Sequence, residues 1–195
     1  VIVRYPTLEI IGISIPGIIN EGHLTSIHME GFENCDIHVL LTERYRLKLV
    51  ISNDVNTVAV GYHASQSQYS SLAFLFQPKN SFSGIGIIIN NNLVVGRKNV
   101  AGEAQFLPMN LSDDFTKLTC SLEGALEVVS KTMVSIISIV APEAIILYCD
   151  MITAIDVLKE EMAKHIPSEY IPDIIKVTDM HEYILHGMMI LCSRV

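Results

Sequence analysis

Tryptophan, paired cysteines and long apolar runs are all missing from this sequence of 195 residues. The four cysteines stand far apart without a Cys-x-x-Cys pair, which argues against a disulfide framework and favours reduced, buried thiols. The longest apolar stretches, 10–19 and 134–141, are interrupted by Ser, Pro or Gly and fall short of the roughly 20 residues of a membrane span. Since the first residues also lack the pattern of a signal peptide, we expect a cytoplasmic protein that does not enter the membrane.

Positive charge is scarce as well. Thirteen Lys and Arg against 21 Asp and Glu give a formal net charge of −8. Duplex DNA repels such a surface, because binding requires clustered basic side chains that displace counterions. The densest basic segment, residues 44–48, alternates with Tyr and Leu as the end of an amphipathic helix does. We therefore expect this chain not to bind DNA itself.

Apolar residues, which make up half of the chain, are arranged in alternating strand and helix patterns. Residues 8–15 predict a buried strand, 36–45 a helix with apolar residues at helical spacing, 47–52 a second strand and 55–64 a short helix. A polar segment near 65–70 predicts a boundary between two lobes. This alternation is typical of an α/β fold.

The second half continues the alternation. A strand is expected over 71–76, and the asparagine triplet at 90–92 predicts a hairpin between strands 84–90 and 93–96, because Asn tolerates positive φ. A strand is also expected over 144–148. Three helices follow from apolar stripes and caps: one over 121–140, one over 151–164 capped by Asp150, and one over 180–191 with Asp179 and Glu182 in a capping-box arrangement.

Six short motifs occur in one order along the chain: Gly12 to Pro16-Gly17, Asn53-Asp54, Gly84 with Gly86, Ala101-Gly102-Glu103, a strand that includes Pro142-Glu143, and Leu185-His186-Gly187-Met188. In this order they resemble the ROK family of repressors, unassigned reading frames and sugar kinases. The resemblance implies the α/β actin-like ATPase fold of sugar kinases, with two RNase H-like lobes around a cleft. Residues 1–66, with a return by 179–195, would form a partial first lobe, and 67–195 a complete second lobe.

The resemblance also implies a site. Gly17, Asn53, Asp54 and Glu103 match positions that bind the sugar, and Asp54 would be the general base if the protein were a kinase. An alternative role for Asp54 is to cap the helix over 55–64. Gly84 and Gly86 match a phosphate loop, although close packing of a strand explains two glycines equally well.

Other family features are absent. Phe106 stands where the family has a zinc-binding histidine, and no cysteine-rich motif follows, so no zinc is expected. Cys149-Asp150 replaces a Gly-Gly pair beside the nucleotide, and the first phosphate loop, Asp-x-Gly-Gly-Thr, does not occur in the sequence, so ATP binding is not expected. Glu123 has no secure match to a further sugar-binding glutamate. His28 is a candidate donor to a sugar hydroxyl, but a lone histidine is more often structural.

Three functions remain open at this point. The favoured one is a non-catalytic region of a transcriptional regulator that senses a sugar or sugar phosphate and forms a homodimer. DNA would then be bound by a helix-turn-helix that this sequence does not contain. The alternatives are a ROK sugar kinase, with its first phosphate loop outside this chain, and a purely structural dimer module with a vestigial cleft.

Overall fold

The structure is a computed structural model that describes residues 7–20, 23–25, 35–36, 39, 42, 47–66 and 68–195. In the first described segments the strands are β1 (Ile10–Ile15), β2 (Ile18–Asn20), β3 (His23–Thr25), β4 (Cys35–Asp36) and β5 (Lys48–Asn53). They are followed by β6 (Leu72–Gln77), β7 (Gly84–Ile89), β8 (Asn92–Val94), β9 (Ala144–Cys149) and β10 (Asp173–Lys176). The described α-helices are α1 (Asp54–Ser65), α2 (Phe115–Leu118), α3 (Leu122–Val140), α4 (Ile155–Met162) and α5 (His181–Ser193).

The largest sheet has five strands in the order β10-β9-β6-β7-β8. Strands β10, β9 and β6 run parallel, whereas β7 and β8 continue the sheet as an antiparallel hairpin. Strands β1 and β5 form a separate parallel pair, with Gly12 opposite Val50, and β2, β3 and β4 form a small antiparallel sheet. The α/β class expected from the sequence is confirmed.

Helices cover both faces of the five-stranded sheet. On one face, α3 and α4 bury Met133 and Leu158 against Leu75 and its neighbours. On the other face, α1 and α5 pack over Phe74 and Ile146. Because successive side chains of a strand point to opposite faces, β6 supplies both cores. Helix α1 thus packs on β6 and β7, which come after the predicted lobe boundary, and the division of the chain into lobes stays a prediction.

Helix α1 lies between the sheet and α5, and two glycines set its distance from α5. A Cβ atom on Gly61 would lie 1.9 Å from the backbone oxygen of Tyr183, and one on Gly187 would lie 2.0 Å from the backbone oxygen of Thr57. Neither side could therefore carry even a methyl group without moving a helix. The two backbones are in direct contact.

Most predicted elements are present within a few residues. The hairpin forms at Asn90 and Asn91, whose φ angles are 49° and 64°. Helix α3 begins where Ser121 Oγ accepts the N–H of Gly124 at 3.1 Å. The Asp179 carboxylate accepts the N–H of His181 at the start of α5. The predicted helix over 36–45 lies largely outside the described residues.

Some expectations were wrong. Asp150 does not cap a helix, because α4 begins four residues later than predicted, at Ile155, after an Ala154 that provides no side-chain cap. Strand β10 was not predicted. Of the cysteines expected to be buried, Cys149 is buried but Cys120 is exposed. Among the described residues, every helix is too short or too polar to cross a membrane.

Candidate functional site

Asn53 lies at the corner where β5 ends and α1 begins. Its Oδ1 accepts the N–H of Asn56 at 3.0 Å, which makes Asn53 the N-cap of α1. Its Nδ2 donates to the backbone oxygen of Gly17 at 3.0 Å. Gly17 has a φ of 109°, a conformation that favours glycine, in the turn between β1 and β2. One amide side chain therefore joins the end of β5, the start of α1 and the turn at Gly17.

Asp54 is the first residue of α1, and its carboxylate accepts the N–H of Val55 at 2.8 Å. The alternative role proposed for Asp54, that of helix cap, belongs instead to Asn53. Burial raises the pKa of the Asp54 carboxyl above its ordinary value, although the backbone N–H groups of Val55 and Asp54 lower it in part. The carboxylate is thus half-buried at the end of the helix where negative charge is favoured.

Glu103 follows a tight turn that is fixed to β7. Gly102 has a φ of 90°, and its backbone oxygen accepts the N–H of Ile85 at 2.9 Å. Glu103 itself forms an isolated β-bridge with Gly84. The side chain of Glu103 is half-buried and accepts a hydrogen bond from Gln105 Nε2 at 3.0 Å. The segment Ala101-Gly102-Glu103 therefore places the Glu103 carboxylate beside Gly84, the first residue of β7.

Asp54 and Glu103 lie on two sides of Gly84, near enough for the charge of one to act on the other, and we call them the carboxylate pair. Glu103 bridges to Gly84, while Val55, the neighbour of Asp54, contacts Gly84 from the helix side. Burial raises the pKa of Glu103, the hydrogen bond from Gln105 lowers it in part, and the negative charge of Asp54 raises it further. The predicted residues Gly17, Asn53, Asp54 and Glu103 are thus connected through neighbouring contacts, but their role in sugar binding stays a prediction.

Gly84 and Gly86 are the points where α1 approaches β7. A Cβ atom on Gly84 would lie 2.8 Å from a methyl carbon of Val55, and one on Gly86 would lie 2.5 Å from the Cβ of Ala59. Glycine at both positions is therefore required by the packing of strand and helix, as the alternative explanation from the sequence proposed. A role in phosphate binding has no separate support from this geometry.

The raised pKa of Glu103 predicts that its effect on the stability of the protein depends on pH. The pKa of Glu103 is higher in the folded protein than in the unfolded chain, so the protonated side chain favours folding. This contribution to the free energy of unfolding is complete at pH values below the unfolded pKa, and it is lost as the pH rises through the folded pKa. We expect Glu103→Gln to raise the unfolding temperature at pH 7 and to change it little at about pH 3.5, below the ordinary glutamate pKa. Thermal unfolding at both pH values measures this difference.

Glu143 provides a control of opposite sign. Its carboxylate accepts the N–H groups of Ser70 and Ser71 at 2.6 and 3.0 Å, which lower its pKa. Its stabilising contribution is therefore present above the unfolded pKa and is lost as the pH falls through the folded pKa. Glu143→Gln should lower the unfolding temperature at pH 7. If Glu103→Gln also lowers it at pH 7, burial does not disfavour the Glu103 charge.

Phe106, which replaces the expected histidine, is 61% exposed. An apolar cavity of about 260 Å³ lies between it, Glu103 and Ile139 of α3. The following loop is held by side chains of α3: Glu127 accepts the N–H of Ser112 at 3.0 Å, and Lys131 donates to the backbone oxygen of Asn110. In the described part of the chain no three His, Cys, Asp or Glu side chains are grouped to hold a metal. The expected lack of zinc stays a prediction.

The loop after β9 is held by a lysine that the sequence did not single out. Lys176, at the end of β10, donates to the backbone oxygens of Cys149 and Ile152 at 2.6 and 2.5 Å. Asp150 between them is exposed. The expectation that ATP does not bind here stays a prediction.

Not every candidate belongs to the site. His28 lies outside the described residues. Glu123 is exposed in the first turn of α3, and the structure records no contact between it and the carboxylate pair. A larger cavity, of about 520 Å³, lies at Pro142 and Tyr170, at the opposite end of β9 from Cys149, and none of the predicted site residues line it.

Two asparagines near the site were missed. Asn56 lies in the first turn of α1, and Asn99 lies in the turn Arg97–Asn99, where its Nδ2 donates to the backbone oxygen of Ile19. Both line a small cavity together with Asn53. The only signal in the sequence is the spacing of Asn56, three residues after Asn53.

Comparisons with known proteins agree on one family. The family model described as "ROK family" matches residues 4–130. The xylose repressor of Bacillus spizizenii is 23% identical over 143 residues, which are 73% of this chain and 37% of that protein. Among solved structures, the ROK hexokinase of Thermus thermophilus matches with a TM-score of 0.71 and 15% identity, over 95% of this chain and 79% of that chain.

A ROK family transcriptional regulator, a homologue of the E. coli MLC protein, matches with a TM-score of 0.71 and 12% identity, over 98% of this chain and 65% of that chain. At these identities the solved structures establish the fold, and the predicted actin-like sugar-kinase fold is confirmed. The chain spans little more than a third of the repressor that it matches.

Proposed function

This chain belongs to the ROK family, and from that premise we propose that it is the sugar-sensing, non-catalytic region of a transcriptional regulator. The observation that carries the proposal is the carboxylate pair, in which Asp54 and Glu103 lie on two sides of Gly84 at the start of β7. Ionised carboxylates accept hydrogen bonds and are suited to the hydroxyl groups of a sugar. Two relatives are named as a xylose repressor and as a ROK family transcriptional regulator, and these names support a role for sugar binding in the control of transcription.

Asn53 would contribute mainly by position. Its Oδ1 and Nδ2 each have one hydrogen bond in the structure, to Asn56 and Gly17, and each retains capacity for one more. A ligand held by the carboxylate pair and Asn53 would contact the Gly17 turn and α1 together. Sugar binding would therefore favour one arrangement of these two segments, which is the physical requirement for a sensor.

Binding of a sugar is the direct test. We expect isothermal titration calorimetry of the chain with D-xylose, D-glucose and N-acetyl-D-glucosamine to detect binding by at least one of them. Asp54→Asn should weaken that binding by about tenfold or more, because hydrogen bonds to charged groups contribute roughly 1.5–3 kcal/mol. Asp156→Asn, a change of an exposed acid in the first turn of α4, serves as the matched control.

A purely structural dimer module would bind none of these sugars, and that result would overturn the proposal. Homodimerisation rests on the family resemblance. Light scattering that gives a monomer mass at micromolar concentration would contradict it.

Sugar phosphorylation is the second candidate, favoured by the likeness to the hexokinase structure. In that case Asp54 would accept the proton of the attacking hydroxyl. A coupled assay for ADP release, on the protein that contains this chain, separates the two functions. The kinase requires turnover that depends on sugar and is abolished by Asp54→Asn, whereas the sensor requires binding without turnover.

A further inference from the structure

A cavity of about 520 Å³ lies where the end of α3 meets the short turn Ser168–Tyr170, and we call it the Tyr170 cavity. Its lining includes the apolar side chains of Ile137, Ile166 and Pro172. Its volume falls within the roughly 300–1,000 Å³ of sites that bind small molecules. None of the residues proposed to bind sugar lines it, so a ligand held here would be separate from the carboxylate pair.

The end of α3 that borders the cavity has backbone oxygens without a backbone donor. Carbonyl groups of an α-helix point toward its C-terminal end, and the last ones depend on the residues that follow. The N–H of Ala141 donates to the oxygen of Ile137 at 3.0 Å. Pro142 has no N–H, and the N–H of Glu143 donates outside the helix. In the described chain the oxygens of residues 138–140 therefore receive no backbone N–H.

The charged side chains that line the Tyr170 cavity are negative. Glu143 and Glu169 both line it, and both are exposed. The hydrogen bonds that Glu143 accepts are recorded at one of its oxygens, Oε2, so that Oε1 stays available to a ligand. None of the lining residues is Lys, Arg or His. Because the C-terminal end of a helix also favours positive charge, this surface is suited to a cation.

Tyr170 adds an aromatic ring beside these carboxylates. It is 60% exposed and lines the cavity. The face of such a ring attracts ammonium groups, which are common ligands of aromatic sites. A metal ion would leave the ring and the apolar lining unused. The combination of apolar lining, negative charge and an aromatic ring is therefore matched by a cation that carries a hydrocarbon part.

We propose that the Tyr170 cavity binds a small organic ammonium ion. The hydrocarbon part of the ligand lies against Ile137 and Ile166, and its ammonium group lies near Glu169 and the last carbonyl groups of α3. This inference does not rest on the proposed sugar sensing. It gives the chain a second binding site, at the opposite end of β9 from Cys149 and with a ligand of different chemistry.

Titration of the ¹⁵N-labelled chain, followed by nuclear magnetic resonance, tests the class of ligand. Three probes share a phenyl ring and differ in charge: 2-phenylethylammonium, 2-phenylethanol and 3-phenylpropionate. We expect the ammonium ion to bind about fivefold more tightly than the alcohol, and the anion to bind most weakly, as two partly screened carboxylates predict. The amide signals of residues 137–141 and 166–171 should shift. Those of Asp54 and Glu103 should not.

Glu169→Gln tests the charge at the cavity without disturbing the fold, since the side chain is exposed and no hydrogen bond of it is recorded in the described chain. We expect the dissociation constant of 2-phenylethylammonium to rise about two- to fivefold and that of 2-phenylethanol to stay unchanged. Raising NaCl from about 50 to 500 mM should have the same selective effect. Glu160→Gln, an exposed glutamate of α4 that does not line the cavity, is the matched control.

Several results would overturn the inference. These are absence of saturable binding by 2-phenylethylammonium, equal affinity for the ammonium ion and the alcohol, and shifts confined to other residues. A lysine-containing peptide that binds here when the small ammonium ion does not would also overturn it, because the surface would then serve a protein partner. None of these results affects the proposed sugar sensing, which the sugar titrations test separately.

Discussion

Gly61→Ala should lower the unfolding temperature by about 4–8 °C, corresponding to a net loss of about 2 kcal/mol. The added methyl group would stand 1.9 Å from the backbone oxygen of Tyr183, and the neighbour is backbone rather than a side chain that can turn away. Helices α1 and α5 would have to separate, at the upper end of the roughly 1–3 kcal/mol that overpacking costs. The helix propensity of alanine returns only about 1 kcal/mol.

The sign of the effect distinguishes packing from propensity. Propensity alone predicts that Gly61→Ala stabilises the chain, because alanine is the better helix former. Ala64→Gly, at an exposed position in the last turn of the same helix, is the control and should destabilise by at most about 1 kcal/mol through propensity alone. Thermal unfolding measured by circular dichroism is sufficient. An unchanged or higher unfolding temperature in Gly61→Ala would contradict the close contact of α1 with α5.

Gly102→Ala is expected to have a large effect on both stability and sugar binding. Its Cβ atom would lie 1.8 Å from the backbone oxygen of Ile85, and its φ of 90° is strained for any residue with a side chain. The turn would have to leave β7, which breaks the hydrogen bond from Ile85 and moves Glu103. We expect a loss of about 3 kcal/mol in the free energy of unfolding. Calorimetry should detect no sugar binding, because the carboxylate pair is separated.

Gly96→Ala is the control for this change. Gly96 also has a positive φ, of 66°, but the nearest atom to an added Cβ is the side chain of Ala101 at 3.2 Å. With a ψ of −171°, this conformation is open essentially to glycine alone and costs about 1–3 kcal/mol in a residue with a side chain, whereas Glu103 keeps its position. Equal losses of stability and binding in the two variants would show that backbone conformation, not contact with β7, dominates at Gly102.

The elements that the sequence predicted well are those whose signals are local. The hairpin of β7 and β8 follows from asparagines that accept positive φ, and α3 follows from its apolar stripe and the Ser121 cap. The order of the motifs also indicated the family, because that order can be read directly along the sequence. These conclusions needed no knowledge of which segments meet.

The errors concern residues whose roles depend on distant segments. Both members of Asn53-Asp54 are good helix caps, and the local sequence does not choose between them. The choice follows from β5, which pairs with β1 so that Asn53 lies opposite Ile15 and near the turn at Gly17. Asp150 likewise has the composition of a cap, but the loop after β9 is held by Lys176 from β10, and the helix starts later.

Sequence by itself determined the α/β class and the family, because periodicity, turn chemistry and motif order are properties of the linear chain. It also singled out the carboxylates Asp54 and Glu103, whose role stays a prediction. Tertiary structure alone decided that these carboxylates lie on two sides of Gly84 and that Gly84 and Gly86 serve the packing of α1. It also decided that Asn56 has a buried oxygen without a partner among the described residues. The physical reason is that pKa shifts, close backbone contacts and unpaired polar atoms arise from neighbours in space. Most of those neighbours are far apart along the chain.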